Sequence, residues 1–100
     1  MASLTIVYWR DIPAQVIVKA GRRSAKRPLA DRFQEAIDRA AMRGGARDTD
    51  AYLAQWRRGD PQPVDGDLEA LADAAASRLE TDYDDARLAR LVATGGAEAA

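Results

Sequence analysis

One hundred residues are enough for one small domain and no more. Lys and Arg number 15 against 16 Asp and Glu, for a net charge of -1, which excludes a uniformly basic nucleic-acid binder and a uniformly acidic tail. There is no His and no Cys, so disulfides, thiol nucleophiles, imidazole acid–base chemistry and the common zinc sites are excluded together.

Leu4-Thr5-Ile6-Val7-Tyr8-Trp9 is rich in β-branched and aromatic residues and too short for a helix, so it predicts a strand. Both of its alternating faces (Leu4, Ile6, Tyr8 and Thr5, Val7, Trp9) are largely apolar, which predicts an interior strand covered on both sides. Asp11-Ile12-Pro13-Ala14 reads as a four-residue turn, because Pro13 has no donor for a ladder. Gln15-Val16-Ile17-Val18-Lys19 alternates and predicts the second strand of a β-hairpin. A hairpin alone is marginal in water, so helices must cover it. Its two unpaired outer edges also make self-association through the hairpin an expectation.

Residues 21–27 read as a basic loop, with Pro28 placed as a helix favours its first residue. Leu29, Phe33, Ala36, Ile37, Ala40 and Ala41 form a helical stripe, which Gly44-Gly45 ends through a left-handed cap. Asp48 or Thr49 caps a shorter helix over 49–58 that carries Tyr52, Leu53 and Trp56 on one face. Gly59-Asp60-Pro61-Gln62-Pro63 stops it; a short edge strand at Val64 is a conceivable addition that the preferred reading leaves out. Asp65 and Asp67 offer caps for a helix carrying Leu68, Leu71, Ala72, Ala75 and Leu79. Leu88, Leu91 and Val92 leave that stripe, and Thr81-Asp82-Tyr83-Asp84 resembles an acidic capping box. A break near 81 and a fourth helix ending close to 93 is therefore preferred over one long rod. Residues 94–100 are expected to fray. The expected fold is α+β, an N-terminal β-hairpin packed against three or four helices (ββααα or ββαααα) in one domain over 1–93, with an acidic helical part over 65–93. Of the apolar residues 22 are Ala and 25 are bulkier, which fills one small core.

Charge is distributed unevenly. Residues 1–58 hold 12 basic and 6 acidic groups, and residues 59–100 hold 3 and 10. The preferred reading is that the two halves face each other; the rival is a charged partner drawn to one of them. Arg22-Arg23-Ser24-Ala25-Lys26-Arg27 places four cations just ahead of a helix start, where backbone N–H groups and bidentate Arg can hold phosphate. Short basic loops are more often simply solvated, and no P-loop pattern follows this one. Tyr8, Trp9, Tyr52 and Trp56 suit base stacking beside cations, yet their placement on a strand and a helix stripe favours core packing. Asp82, Asp84 and Asp85 have the composition of a metal site but lack the Gly and closing Glu of a calcium loop, and helix capping accounts for them. No cofactor or metal is expected. The run 4–9 is too short for a secretory core or a membrane span, so a cytoplasmic protein with no membrane association is expected.

Tyr8-Trp9-Arg10-Asp11-Ile12-Pro13-Ala14-Gln15-Val16, the segment from Arg32 through Met42, and Asp50-Ala51-Tyr52-Leu53-Ala54-Gln55-Trp56 together resemble the small bacterial domain family labelled "virulence factor". A related domain accompanies HEAT-like repeats in conserved virulence factor C proteins. The resemblance rests on residues 4–58 and implies a phenotype rather than a reaction; it supplies no catalytic residues. Genes of this kind are associated with folate and cobalamin one-carbon metabolism, which implies, as the weakest alternative, a helper subunit there. Arg10 and Asp11 lie in the resembling turn without a packing reason, so they join Arg22, Arg23, Lys26 and Arg27 as candidate binding residues for an anion or a partner. A hydrogen-bonded structural corner is the competing account of Arg10 and Asp11. The favoured function is a non-catalytic cytosolic protein-binding or accessory domain with an unknown protein partner. The alternative is a phosphate- or nucleic-acid-binding module built on the segment 22–27.

Overall fold

A computed structural model describes residues 2–43, 45 and 48–97. Strands β1 (Ala2–Trp9) and β2 (Ile12–Ala20) form the expected antiparallel hairpin, with Leu4 opposite Val18 and Ile6 opposite Val16. The turn is tighter than the sequence suggests. Only Arg10 and Asp11 lie outside the strands, and Pro13 belongs to β2 opposite Tyr8. The register steps from Val7–Gln15 to Tyr8–Pro13, so Ala14 is the extra residue of a β-bulge, a place where a strand accommodates proline.

The sheet has five strands rather than two. The segment expected as a basic loop is strand β3 (Arg23–Pro28), paired with β2 in unbroken register from Gln15–Pro28 to Ala20–Arg23. Pro28 therefore closes a strand instead of opening a helix. On the far side of β1, β4 (Trp56–Arg58) pairs with Val7–Trp9 and β5 (Gln62–Val64) pairs with Ala2–Leu4. Both hairpin strands are thus flanked, and the open edges of the sheet belong to β3 on one side and to β4 and β5 on the other.

Helix α1 (Asp31–Arg43) buries Phe33, Ala36, Ile37, Ala40 and Ala41, the stripe read from the sequence. Gly45 takes a left-handed φ of 80°, while Gly44 lies outside the described residues. Helix α2 (Thr49–Ala54) begins at the Asp48 cap but stops before 58, because the chain from Trp56 turns to pair with β1. Helices α3 (Leu68–Asp82) and α4 (Asp85–Ala93) are separate, capped by Asp67 and Asp84. Arg32 helps fix the break, donating to the carbonyls of Glu80 and Tyr83 at 2.6 Å each, where a helix end leaves acceptors without partners.

The core lies between the sheet and the helices. Val16, Val18 and Ala25 belong to it, with α1 and α3 packed on β2, α3 also on β3, and α4 packed on α1, whereas Val7 and Ile17 stand outside it on the other face of the sheet. β1 is interior by pairing, but the cover expected on both of its faces is present on one. The C-terminal segment also departs from the frayed expectation: Gly95 and Gly96 are buried, while 98–100 lie outside the described residues. No helix among the described residues is long and apolar enough to cross a membrane.

Candidate functional site

The six candidate residues divide between three environments. Arg10 and Asp11 form a clasped corner. Arg10 holds a left-handed φ of 53°, a conformation that strains a non-glycine residue. Its guanidinium donates to the Gly95 carbonyl at 2.6 Å and to Gln55 Oε1 at 3.2 Å, and it lies 4.9 Å from the Trp9 ring centroid. The Asp11 N–H donates to the Gly96 carbonyl at 2.9 Å, and its carboxylate accepts from Arg57 at 3.1 Å. Trp9, fully buried, donates from its indole to the Tyr52 carbonyl at 2.9 Å. A Cβ on Gly96 would meet the Trp9 ring at 2.9 Å, so only glycine lets the chain close this tightly over the indole. These contacts give the corner a structural role.

Arg27 is engaged on the helix side. It forms a hydrogen-bonded ion pair with Glu69 and another with Asp73 at 2.5 Å, both on α3. Those two acceptors raise its pKa above the ordinary arginine value. Here the acidic half does face the basic one, as the charge split suggests. Arg22, Arg23 and Lys26 are exposed and make no ion pair among the described residues. Because strand side chains alternate, Lys26 and Arg27 leave β3 on opposite faces, and the four cations do not converge on one phosphate.

Lys26 belongs to a different surface. The pairings Thr5–Ile17–Lys26, Arg58–Val7–Gln15 and Ser3–Lys19–Ser24 set these residues side by side on the outer face of the sheet. Ile17 is 4% exposed, although it stands outside the helix-side core. Around the neutral centre of Thr5, Val7, Gln15 and Ile17 stand Lys19, Lys26 and Arg58. None of the five strands contains an Asp or Glu, so no carboxylate within the sheet offsets those cations. The alternation of β2 places Gln15, Ile17 and Lys19 on one face, but nothing local in the sequence marks that face as a site. The run of acid-free segments marks a site only once β3 and β4 are known to be strands of one sheet.

The aromatic rings are otherwise occupied. Tyr8 carries Arg57 at 4.5 Å, and Tyr52 packs against Trp9 and Trp56 at centroid distances of 5.7 and 6.0 Å. Trp56 is half-buried on β4 instead of sitting on a helix stripe. Of the acidic residues near 82, Asp84 caps α4 and Asp85 stands 3.6 Å from Arg32. Among the described residues no group of three or more acidic side chains could hold a metal ion. On the helix side, Leu4, Ile6, Tyr8, Val64, Ala75 and Leu79 line a groove of 410 Å³ that has Arg78 and Asp60 at its rim.

A family model described as "Virulence factor" matches residues 7–92. The match runs through α3 and α4, past the stretch 4–58 on which the sequence resemblance rests. No curated protein and no solved structure matches the chain.

Proposed function

From the premise that the chain belongs to the virulence factor family, we propose that it is a non-catalytic cytoplasmic accessory domain. In this reading it binds an acidic protein surface through the outer face of its sheet. The observation that carries the reading is that face itself: a neutral centre of half-buried Thr5, Val7 and Gln15 beside buried Ile17, rimmed by Lys19, Lys26 and Arg58, with no acid in any strand. A centre without charge inside a charged rim matches the anatomy of a protein interface, and a single-sign rim steers an oppositely charged partner toward it. Burial supports a binding role over catalysis. No charged side chain among the described residues is buried, whereas a general acid or base is normally tuned by desolvation.

The experiment is affinity capture with the intact protein, the double variant Lys19→Glu with Lys26→Glu, and Thr5→Arg. Capture of one acidic protein by the wild type, lost in both variants while their folding is retained, is expected. Capture that survives both variants would overturn the reading. The phosphate-binding alternative draws on the exposed Arg22, Arg23 and Lys26 and is separated by salt. Three phosphate contacts on a single strand would give a log–log slope of roughly -2, and Arg22→Ala with Arg23→Ala would flatten it.

A further inference from the structure

The two open edges of the sheet differ. One is divided between β4 and β5, three residues each, separated by Gly59, Asp60 and Pro61 and bearing Pro63. A visiting strand would find an interrupted ladder there. The other is β3, six residues in continuous register with β2. Among the described residues β3 forms no backbone hydrogen bond on its outer side. Exposed Arg23 and Lys26 lie along it, Arg22 precedes it, and it carries no acid.

We propose that β3 is a strand-addition site for an extended acidic peptide segment of a partner protein, a proposal that rests on the protein-binding reading and names the partner's recognition element. An unpaired edge supplies main-chain donors and acceptors in the order an added strand requires, and side chains at alternate positions supply selectivity. The cations act in both directions. They oppose pairing between two copies of β3, since like charges directly opposite one another are destabilising, and they favour a strand carrying Glu or Asp. Arg27 does not contribute, being held by Glu69 and Asp73 beneath the sheet. Pro28 ends the ladder, because it has no N–H to offer.

The test is amide exchange and chemical-shift mapping on the full chain labelled with nitrogen-15. The probes are a short capped peptide alternating Val and Glu and a matched one alternating Val and Lys. The Val/Glu peptide is expected to protect those β3 amides that point away from β2, while the Val/Lys peptide protects none. Arg23→Glu with Lys26→Glu is expected to weaken binding about tenfold or more. A second variant, Ser24→Pro, introduces a kink in the exposed edge and is expected to abolish the protection; its fold is verified by the unchanged spectrum of α1. Absence of protection at β3, equal binding of both peptides, or shifts confined to the groove beside α3 would each overturn the proposal. Thr5→Arg separates the two readings, because it disturbs the outer face and leaves the β3 edge intact. Failure of the peptide at β3 with capture still sensitive to Thr5→Arg would retain the face and remove the edge.

Discussion

The chain makes two hairpin turns, each containing an arginine and a residue in the left-handed region, and they put that cation to different uses. Between β1 and β2 the left-handed residue is Arg10 itself, φ 53°, held by Gln55, Gly95 and the face of Trp9. Between β2 and β3 the left-handed residue is Gly21, φ 61°, and Arg22 beside it is exposed. Glycine adopts this conformation without steric cost; arginine adopts it where its surroundings offset the strain. The first turn is covered by α2 and the chain at 95–96, and the second is covered by nothing described. The comparison teaches that a cation's role follows from what the chain lays over it, not from its place in a turn.

The sharpest way to break that contrast is to remove what the first turn closes over. Trp9→Ala is expected to cost about 3–5 kcal/mol in chemical denaturation, the range for a fully buried aromatic. Trp56→Ala, half-buried on β4, is expected to cost less. Equal losses would mean that the corner at Trp9 has no special weight. Gly96→Ala comes next, at about 1–3 kcal/mol, because it combines φ 97° with a Cβ 2.9 Å from the indole. Its melting curve checks this.

Arg10 separates strain from contact. Arg10→Ala removes the guanidinium bonds and keeps the strained backbone, whereas Arg10→Gly removes both. The glycine variant should therefore be more stable than the alanine variant by about 1 kcal/mol. The reverse order in urea titrations would show that the left-handed geometry costs nothing here. A smaller effect belongs to Arg27→Ala: a modest loss of stability that shrinks as salt is added, because the Glu69 and Asp73 pairs are solvent-exposed. The raised pKa of Arg27 gives stability that is present below its ordinary value and lost only as pH rises through the folded one. Near neutrality this group therefore adds no pH dependence of its own, which melts at several pH values would register.

The uneven legibility of the sequence has the same origin as the uneven use of its cations. The hairpin, the α1 stripe and the caps at Asp48, Asp67 and Asp84 declare themselves through local signals: β-branched runs, helical spacing and Asx oxygens at N–H donors. β3 does not, because Arg23-Ser24-Ala25-Lys26-Arg27 has the composition of a loop and only Ala25 turns an apolar side chain to the core. Its strand character comes from β2, a neighbour in space, and tertiary context overrides so weak a propensity. β4 was concealed in the same way: Trp56 fits the stripe of α2 until its pairing with Trp9 is known. Of the candidate site, the individual cations were legible. Their division into a clasped corner, an ion-paired arginine and an exposed edge was not, since it depends on which side of which strand each occupies.

The central claim, that Arg10–Asp11 is framework while exposed Arg22–Arg23 carries no part of the fold, is tested most directly by melting two double variants side by side. Arg22→Ala with Arg23→Ala is expected to stay within about 0.5 kcal/mol of the parent. Arg10→Ala with Asp11→Ala is expected to melt lower by about 5 °C or more, at the 4–8 °C per kcal/mol of a domain this size. Equal melting temperatures for the two variants, or a larger fall for the Arg22–Arg23 pair, would contradict the account.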